Sequence, residues 1–335
     1  MNVLIAQPVE PSGLERCRAV APAATIEVID PYGPDHALSP EQAARTEVLF
    51  ADLPPTNVAE ATALRWIQLG SHGYAQFNGV KLPADVRVCN ASGVNDIPIA
   101  EWCLLMMLAF ERDLVGLLAG QRAHRWDRGA RFQAELRGRR VGILGYGNIG
   151  QELARRCQAL GVEVWVLSRF RPGARDLRYH PYPAGPAPVP ERTFTHEQRA
   201  EFLGGLDYLV VTTPATSATR GYLDRDALAL LPPHAVLLNP ARAHVVDEAA
   251  LIEALRSGQL AGAALDVHYR SPLPADDPFW DLPNTIISPH VSGSSSSTYF
   301  RERIWDLFAR NLRRYLDDAP LLNRIDRADL ELADR

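Results

Sequence analysis

Residues 140–169 read RVGILGYGNIGQELARRCQALGVEVWVLSR, and this stretch decides the fold. It opens with a short apolar run of strand type, Val141–Leu144, and the pattern G-x-G-x-x-G follows at once at Gly145, Gly147 and Gly150. In such a turn the first glycine permits the sharp bend, the second lets a pyrophosphate approach the backbone, and the third lets the helix pack closely on the strand. The sequence therefore predicts a strand–turn–helix unit that binds a dinucleotide.

The helix predicted after the glycines begins at Asn148 and Ile149 and ends before a second strand, Val162–Leu167. The unpaired N–H groups of its first turn lie at the positive end of the helix dipole, where phosphate groups bind. We therefore expect Asn148 and Ile149, together with Gly145 and Gly147, to contact the cofactor.

The residues after the second strand indicate which dinucleotide is bound. NAD-binding units usually carry an acidic residue there, hydrogen-bonded to the ribose 2′-hydroxyl. This chain has Ser168, Arg169 and Arg171 instead. A guanidinium pairs with a 2′-phosphate through two hydrogen bonds, whereas a carboxylate repels it. The sequence therefore favours NADP(H), with NAD(H) as the alternative if Arg169 is only a solvated arginine at the end of a strand.

The composition excludes several classes of protein. A length of 335 residues is enough for two domains, and a net charge of −5 argues against a nucleic-acid partner. The longest apolar run, Trp102–Phe110, is too short to cross a bilayer, and Met1 leads into Val3–Ala6 without the basic start of a secretory signal. The four cysteines are scattered and lack metal-ligand spacing. We expect a cytoplasmic, reduced protein with no structural metal and no membrane contact.

Strand-like and helical stretches alternate along the chain, which predicts an α/β fold with parallel sheets. The candidate strands are Val3–Ala6, Thr25–Ile29, Val48–Phe50, Trp66–Leu69 and Val86–Cys89 in a first series, and Val141–Leu144, Val162–Leu167, Tyr208–Thr212, Ala235–Leu238, Ala263–Val267 and Thr285–Ser288 in a second.

Four other segments stand apart from the strands. One long helix is predicted from Pro98 to about Leu118; its start is apolar nearly all round, so we expect it to be wedged between domains or subunits. An amphipathic helix is predicted at Tyr299–Leu316, after a serine-rich stretch, Ser292–Ser297, that is either a hinge or a plain linker. The proline-rich segment Arg171–Thr195 reads as an extended excursion, near the adenosine end of a cofactor or at a subunit contact.

Three motifs in the second half of the chain carry a resemblance to a known family. They are N-x-A-R at Asn239–Arg242, A-L-D-V followed by P-L-P and P-x-W between Ala264 and Trp280, and P-H-x-x-G at Pro289–Gly293. In combination the chain resembles the D-isomer-specific 2-hydroxyacid dehydrogenases, which include glyoxylate/hydroxypyruvate reductases, phosphoglycerate dehydrogenases and formate dehydrogenases. The resemblance covers nearly the whole chain.

This resemblance implies a domain organisation and an assembly. A Rossmann nucleotide-binding domain, residues 98–293, would be inserted into a flavodoxin-like substrate domain formed by residues 1–97 and 294–335. The active site would lie in the cleft between them. Members of the family are usually dimers joined through the long helix, which here begins near Pro98, so we expect a homodimer.

The resemblance also implies the catalytic residues. Arg242 matches the arginine that binds the substrate carboxylate and polarises the C2 oxygen, a task that suits a planar bidentate donor. His290 matches the acid/base that protonates the ketone as hydride arrives, and histidine can act in both directions near neutral pH. The activity implied is the NAD(P)-dependent interconversion of a small 2-oxo acid and its D-2-hydroxy acid.

Further contacts follow from the same resemblance. Asp266 matches the residue that contacts the nicotinamide amide. The backbone N–H groups of one upstream loop would help to bind the substrate carboxylate, at Ser71, His72 and Gly73. Other predicted cofactor contacts are Thr213, Pro214, Pro240, Ala241, His290 and Gly293.

One position departs from the family pattern. Ser271 stands before Pro272-Leu273-Pro274, where the family usually has a glutamate hydrogen-bonded to the histidine. Serine can orient the His290 imidazole but cannot stabilise imidazolium by charge, so we expect a pH optimum on the acid side of the usual one. His268 and Arg270 are also unusual for the family. Two alternatives therefore remain open: an oxidoreductase with an atypical substrate, and a dinucleotide-sensing binding protein with little turnover.

Overall fold

The computed structural model describes residues 1–77, 79–128, 134–169, 177–182, 185–214, 216–327 and 330. It divides into two compact units. Counting described residues only, unit 1 lies within Met1–Asn95, Arg175–Ala184 and Ser294–Arg335, and unit 2 lies within Asp96–Ala174 and Gly185–Gly293.

Unit 1 is built on a parallel sheet. Its described strands are β1 (Asn2–Ala6), β2 (Thr25–Val28), β3 (Val48–Ala51), β4 (Trp66–Gln68) and β5 (Arg87–Cys89), in the spatial order β2-β1-β3-β4-β5. Its described α-helices are α1 (Pro11–Val20), α2 (Pro40–Arg45) and α9 (Thr298–Leu316). Successive side chains of β1 enter different cores, with Val3 and Ile5 in one and Leu4 and Ala6 in the other. A sheet buried on both faces in this order is the flavodoxin-like arrangement.

Unit 2 is built on a longer parallel sheet. Its described strands are β6 (Arg140–Leu144), β7 (Glu163–Leu167), β8 (Arg192–Phe194), β9 (Tyr208–Val211), β10 (Val236–Asn239), β11 (Gly262–Leu265) and β12 (Thr285–Ile287). Its described α-helices are α3 (Asp96–Glu111), α4 (Leu114–Arg122), α5 (Asn148–Ala159), α6 (Arg199–Leu203), α7 (Arg225–Ala229) and α8 (Glu248–Ser257). The spatial order is β12-β11-β10-β9-β6-β7-β8, with β6 between β9 and β7 in the interior of the sheet, as in a Rossmann fold. The predicted fold class is confirmed.

The prediction of one long helix from Pro98 to Leu118 was wrong. The described chain forms α3 and α4 instead, with a break at Asp113. Asp113 has φ +45°, a left-handed conformation that interrupts the helix, and its carboxylate accepts a hydrogen bond from Gly116 N at 3.1 Å. The side chain therefore caps a new helix at the end of the charged run Glu111-Arg112-Asp113, between two apolar stretches that the sequence analysis joined into one helix.

The proline-rich segment Arg171–Thr195 also differs from the prediction, because it contains the edge strand β8. Arg192 and Thr193 are exposed and only Phe194 is buried, so the strand lacks an apolar run. Of the remainder, the described stretch Leu177–Tyr182 belongs to unit 1. There Tyr179 is 1% exposed, and its N–H donates to Asn323 Oδ1 at 3.0 Å.

In the part of the chain that the structure describes, no helix is both long enough and apolar enough to span a membrane.

Candidate functional site

The predicted site residues of unit 2 lie beyond the carboxyl ends of its parallel strands. This edge of an open α/β sheet is where ligands bind. Gly145, Gly147, Asn148 and Ile149 follow β6; Ser168 and Arg169 follow β7; Thr213 and Pro214 follow β9; Pro240, Ala241 and Arg242 follow β10; Asp266 and, further along, Ser271 follow β11; His290 and Gly293 follow β12. The sheet therefore gathers these loops at one edge. Arg171 lies outside the described residues.

The glycine turn has the geometry that a dinucleotide requires. Gly145 has φ +96°, and a Cβ there would lie 3.1 Å from the backbone nitrogen of Thr213. Gly147 precedes α5 without a side-chain cap, and a Cβ there would meet no atom within 4 Å. The first turn of α5 is thus open on the side of Gly147, and a phosphate can reach its N–H groups.

Thr212 fastens the turn to the neighbouring strand. Its hydroxyl donates to the carbonyl oxygen of Gly145 at 2.8 Å, and its backbone nitrogen donates to Leu144 O at 2.9 Å. Sequence analysis overlooked Thr212. The signal that could have found it is a hydroxyl residue at the carboxyl end of the strand adjacent to β6.

The residues predicted to contact the ribose of the cofactor, Ser168 and Arg169, lie at the end of β7. The backbone nitrogen of Ser168 is 3.4 Å from the carbonyl oxygen of Phe194 in β8, and Arg169 is exposed.

A turn organised by Asn239 holds Arg242. The Asn239 side chain is 1% exposed; its Oδ1 accepts from Ala241 N at 3.1 Å, and its Nδ2 donates to Arg242 O at 3.0 Å. A buried amide that satisfies two backbone groups fixes the path of the chain on both sides of Pro240. The asparagine of the N-x-A-R motif is therefore a structural part of the arginine's support.

The guanidinium of Arg242 is available for an anion. Its Nη1 donates to the carbonyl oxygen of Ala241 at 2.6 Å, and no carboxylate pairs with it among the residues that the structure describes. The side chain reaches solvent but is flanked by protein, and the resulting desolvation lowers the pKa of the guanidinium from its ordinary value. Arginine remains charged even so, so this is a cation without a counter-ion.

Asp266 organises the loop that carries His290. It is fully buried, and its carboxylate accepts from Ser288 Oγ at 2.6 Å, Val291 N at 2.9 Å and Ser292 N at 2.9 Å. These bonds bracket His290, whose φ of +57° is unusual for a residue with a side chain. The carboxylate therefore compensates a strained backbone at the predicted acid/base.

The structure places His290 in solvent and does not join it to Ser271. Both residues are exposed within unit 2, and no hydrogen bond connects their side chains in the described chain. His268 lies closer to the loop than its sequence position suggested, since its Nε2 is 2.9 Å from the carbonyl oxygen of Ser288. The nearby carboxylate of Asp277 pairs with Arg270 at 2.7 Å.

The predicted substrate loop lies in unit 1, beyond the carboxyl end of β4. Each of its carbonyl groups accepts a hydrogen bond: Ser71 O from Ala91 N at 2.8 Å, His72 O from Asn90 Nδ2 at 2.9 Å, and Gly73 O from Ser71 Oγ at 2.9 Å. Within the described residues, the N–H groups of Ser71 and Gly73 have no acceptor. The engaged carbonyl groups, together with the N–H groups of Ser71 and Gly73, make this loop suited to bind an anion.

Asn90 and Gln76 support this loop, and sequence analysis overlooked both. Gln76 Nε2 donates to Asp52 O at 2.8 Å and to Ser71 Oγ at 3.2 Å. Asn90, directly after β5, has the same kind of position as Thr212 in unit 2. Polar residues at the first position beyond a parallel strand are the signal that would have identified it.

Among the described residues, no group of three or more His, Cys, Asp or Glu side chains is placed to hold a metal ion.

Comparison with known proteins identifies the family. The model of the D-isomer specific 2-hydroxyacid dehydrogenase NAD binding domain matches residues 104–292. Glyoxylate/hydroxypyruvate reductase B of Pectobacterium carotovorum is 34% identical over 245 residues, which are 72% of this chain and 72% of that protein. D-3-phosphoglycerate dehydrogenase of Bacillus subtilis is 36% identical over 210 residues, which are 63% of this chain but 37% of that protein. The chain thus matches well under half of the length of these phosphoglycerate dehydrogenases.

Solved structures agree over the whole fold. A D-isomer specific 2-hydroxyacid dehydrogenase from Xanthobacter autotrophicus Py2, crystallised with NADPH and MES, superposes with a TM-score of 0.80. It is 27% identical, and the match covers 98% of this chain and 99% of that one. The resemblance noted from the sequence motifs is confirmed.

Proposed function

The chain belongs to the D-isomer specific 2-hydroxyacid dehydrogenase family, and from this membership we propose that it is an NADP(H)-dependent reductase of a small 2-oxo acid. One observation carries the proposal: the Arg242 guanidinium, held by the Asn239 turn beyond β10, lacks a counter-ion among the described residues of its own unit. A 2-oxo acid supplies that counter-ion as its carboxylate.

The residues around the glycine turn fit a dinucleotide. The space at Gly147 admits a pyrophosphate, and the positive end of the α5 dipole favours its binding there. Arg169 favours the 2′-phosphate of NADP(H) over the free hydroxyl of NAD(H), and the Xanthobacter autotrophicus relative was crystallised with NADPH. When bound, the nicotinamide supplies or accepts the hydride.

The chain's own residues then bind the substrate and move one proton. Arg242 binds the carboxylate and stabilises the negative charge that develops on the C2 oxygen. The His290 imidazole gives a proton to that oxygen in reduction and removes it in oxidation. Asp266 orients the His290 loop and remains our proposed neighbour of the nicotinamide amide. In unit 1, the N–H groups of Ser71 and Gly73 are proposed to bind a carboxylate.

Ser271 is retained in the proposal as the residue that replaces the usual glutamate. A serine carries no negative charge to pair with an imidazolium, and in the described chain Ser271 makes no hydrogen bond to His290. We therefore propose that His290 transfers the proton without the carboxylate partner that is usual in the family.

The activity is tested by following NADPH oxidation with glyoxylate, hydroxypyruvate, pyruvate and an aryl 2-oxo acid between mildly acid and neutral pH, with NADH in parallel. Arg242→Gln should lower kcat/KM about 10²- to 10³-fold, because it removes the charged donor to the developing oxyanion. His290→Asn should lower it about 10²- to 10⁴-fold, because the proton then has no donor.

Two exposed residues of unit 2 provide matched controls. Arg256→Gln and His234→Asn make the same chemical changes away from the loops described above, and both should leave kcat/KM unchanged. Activity that survives in His290→Asn would exclude the assigned acid/base. Tight binding of NADPH without oxidation by any 2-oxo acid would instead support a dinucleotide-sensing protein, which the unpaired His290 also favours.

We further propose that the chain forms a homodimer through α3 and α4. Large apolar side chains on these helices are exposed within the chain: Leu105, Leu108, Leu114, Val115, Leu117 and Leu118, between 40% and 58%. A contiguous exposed apolar surface marks an interaction site, and a second copy of the chain is the partner that the family predicts.

Light scattering after size-exclusion chromatography tests the dimer. The wild-type chain should elute at twice its 37.0 kDa mass, and Leu105→Glu should give a folded monomer because a charge cannot be buried unpaired at the interface. Leu160→Glu, at an exposed leucine of α5's C-terminal cap, should remain dimeric. A monomeric wild-type chain would contradict the proposal.

A further inference from the structure

The segment Leu177–Tyr182 forms a wall on the surface of unit 1. It is anchored by two hydrogen bonds with Asn323, which donates from its N–H to Leu177 O at 3.0 Å and accepts from Tyr179 N at 3.0 Å. Gly93, with φ +95°, lies so close to it that a Cβ at Gly93 would collide with the carbonyl oxygen of Tyr179. The described part of the proline-rich excursion is therefore firmly packed.

A recess of about 570 Å³ lies between this wall, α1 and α9. That volume falls within the range of small-molecule sites. The cations that line it are Arg16, Arg178, Arg310, Arg313 and Arg314, and Asp306 is the acidic residue of the lining in the described chain. The recess is therefore strongly positive in a protein whose net charge is −5.

Asp306 cannot neutralise these guanidinium groups and instead arranges two of them. Its carboxylate accepts from Arg16 at 3.0 Å, from Arg310 at 2.9 Å and from Tyr179 Oη at 2.9 Å. Arg16 on α1 and Arg310 on α9 are thereby held at the rim, where their side chains remain 44% and 48% exposed.

Arg313 lines the recess without a counter-ion among the described residues, and Arg314 likewise pairs with no carboxylate there but donates from its Nε to the carbonyl oxygen of Pro320. Arg313 lies one turn beyond Arg310 on the same face of α9, it is exposed, and no carboxylate pairs with it among the residues the structure describes. Because Asp306 is engaged by Arg16 and Arg310, the positive charge of Arg313 remains for a ligand.

We propose that this recess binds a small organic phosphate, separately from the dinucleotide. A phosphate has three acceptor oxygens and close to two negative charges at neutral pH, so more than one guanidinium can bind it through paired hydrogen bonds. The body of the ligand lies against Val20, Ala309 and Leu322, which give the recess an apolar part. The exposed ring of Tyr182 borders the recess, and the Arg303 guanidinium lies 5.7 Å from the centre of that ring.

Calorimetric titration of the full chain tests the site with pyrophosphate, inorganic phosphate and AMP as probes. The chain is first saturated with NADPH, so that phosphate groups cannot enter the glycine turn, and the titration is repeated without NADPH. Arg313→Gln should weaken binding of pyrophosphate and AMP at least about tenfold, the loss expected for one charge-assisted contact. Arg301→Gln, an exposed arginine of α9 outside the recess, should leave both affinities unchanged.

Three results would overturn the proposal. The first is that the wild-type chain binds none of the probes at millimolar concentration. The second is that Arg313→Gln and Arg301→Gln weaken binding equally, because the probes would then be attracted by net charge alone. The third is that citrate binds as tightly as pyrophosphate, because the site would then not recognise phosphate. Because these outcomes are binding measurements that require no turnover, they are distinct from a failure of the chain to reduce 2-oxo acids.

Discussion

Gly147 and Gly150, in the turn after β6, differ in the space that each leaves for an added methyl group. At Gly147 it would meet no atom within 4 Å, whereas at Gly150 it would lie 2.7 Å from the carbonyl oxygen of Gly145 and 3.2 Å from Ile143 Cγ2. The first position is open to a ligand, and the second is closed by the protein's own backbone. Gly147 and Gly150 belong to one motif but have different roles: Gly147 leaves space for a ligand, and Gly150 lets the helix pack closely on the strand.

Two alanine substitutions should separate those roles. Gly150→Ala should lower the free energy of unfolding by about 1–3 kcal/mol, because the backbone must move to admit the methyl group. Gly147→Ala should cost less than about 1 kcal/mol as an altered helix cap, yet weaken NADPH binding, because the methyl group occupies the space for the pyrophosphate. Urea unfolding and NADPH fluorescence titration measure the two quantities. Unchanged NADPH affinity in Gly147→Ala would place the pyrophosphate elsewhere.

At the scale of elements, Asp113 decides that α3 and α4 are two helices. Asp113→Ala should lower the free energy of unfolding by about 1 kcal/mol or more, because it removes the cap on Gly116 N and puts a poorly tolerated residue at φ +45°. Asp113→Asn should be close to neutral, since asparagine keeps the acceptor oxygen and tolerates the left-handed conformation. Chemical unfolding of the three proteins checks this; equal stability of the alanine and asparagine variants would show that the cap does not hold the break.

The elements that were predicted correctly have a regular pattern of apolar residues, and those that were missed do not. Interior strands such as β3 and β9 are buried on both faces, so they read as continuous apolar runs and were found within one or two residues. The edge strand β8 has one buried residue and gives no such run. The break at Asp113 depends on one backbone dihedral and one hydrogen bond, which leave no periodic trace.

The same distinction applies to the candidate site. The glycine turn and the N-x-A-R motif could be found because local backbone geometry requires particular residues in a particular order. Thr212, Asn90 and His268 support loops that are distant in sequence and come together beyond the ends of parallel strands. The sequence pattern does not predict which of these loops contact each other. The arginine-lined recess is the extreme case, because α1, α9 and Leu177–Tyr182 are far apart in sequence.

Across the whole molecule, the four cysteines respond to burial in the same way. Burial raises the pKa of the Cys17, Cys89 and Cys157 thiols to about 12, and that of Cys103 well above its usual range. Unit 1 contains the first two and unit 2 the others. A thiol in the unfolded chain has a pKa of about 8.5, so between that pH and the folded pKa only the unfolded chain releases the proton.

The sign of the resulting pH dependence is fixed. The stabilising contribution of each thiol is fully present below the unfolded pKa and is lost as pH rises toward 12, because proton release then favours unfolding. Each thiol should therefore lower the free energy of unfolding by about 1.4 kcal/mol per pH unit within that range.

The substitution Cys157→Ala should remove one such contribution. The free energy of unfolding of this variant, measured in urea at pH 8, 9, 10 and 11, should therefore fall less steeply with pH than that of the wild-type chain. Val162→Ala, at a buried residue of the same unit that does not titrate, should shift the curve without changing its slope. If the slopes of Cys157→Ala and the wild-type chain coincide, the Cys157 thiol ionises at the same pH in the folded and the unfolded chain. Burial would then not raise the pKa of this thiol, and the prediction would be wrong.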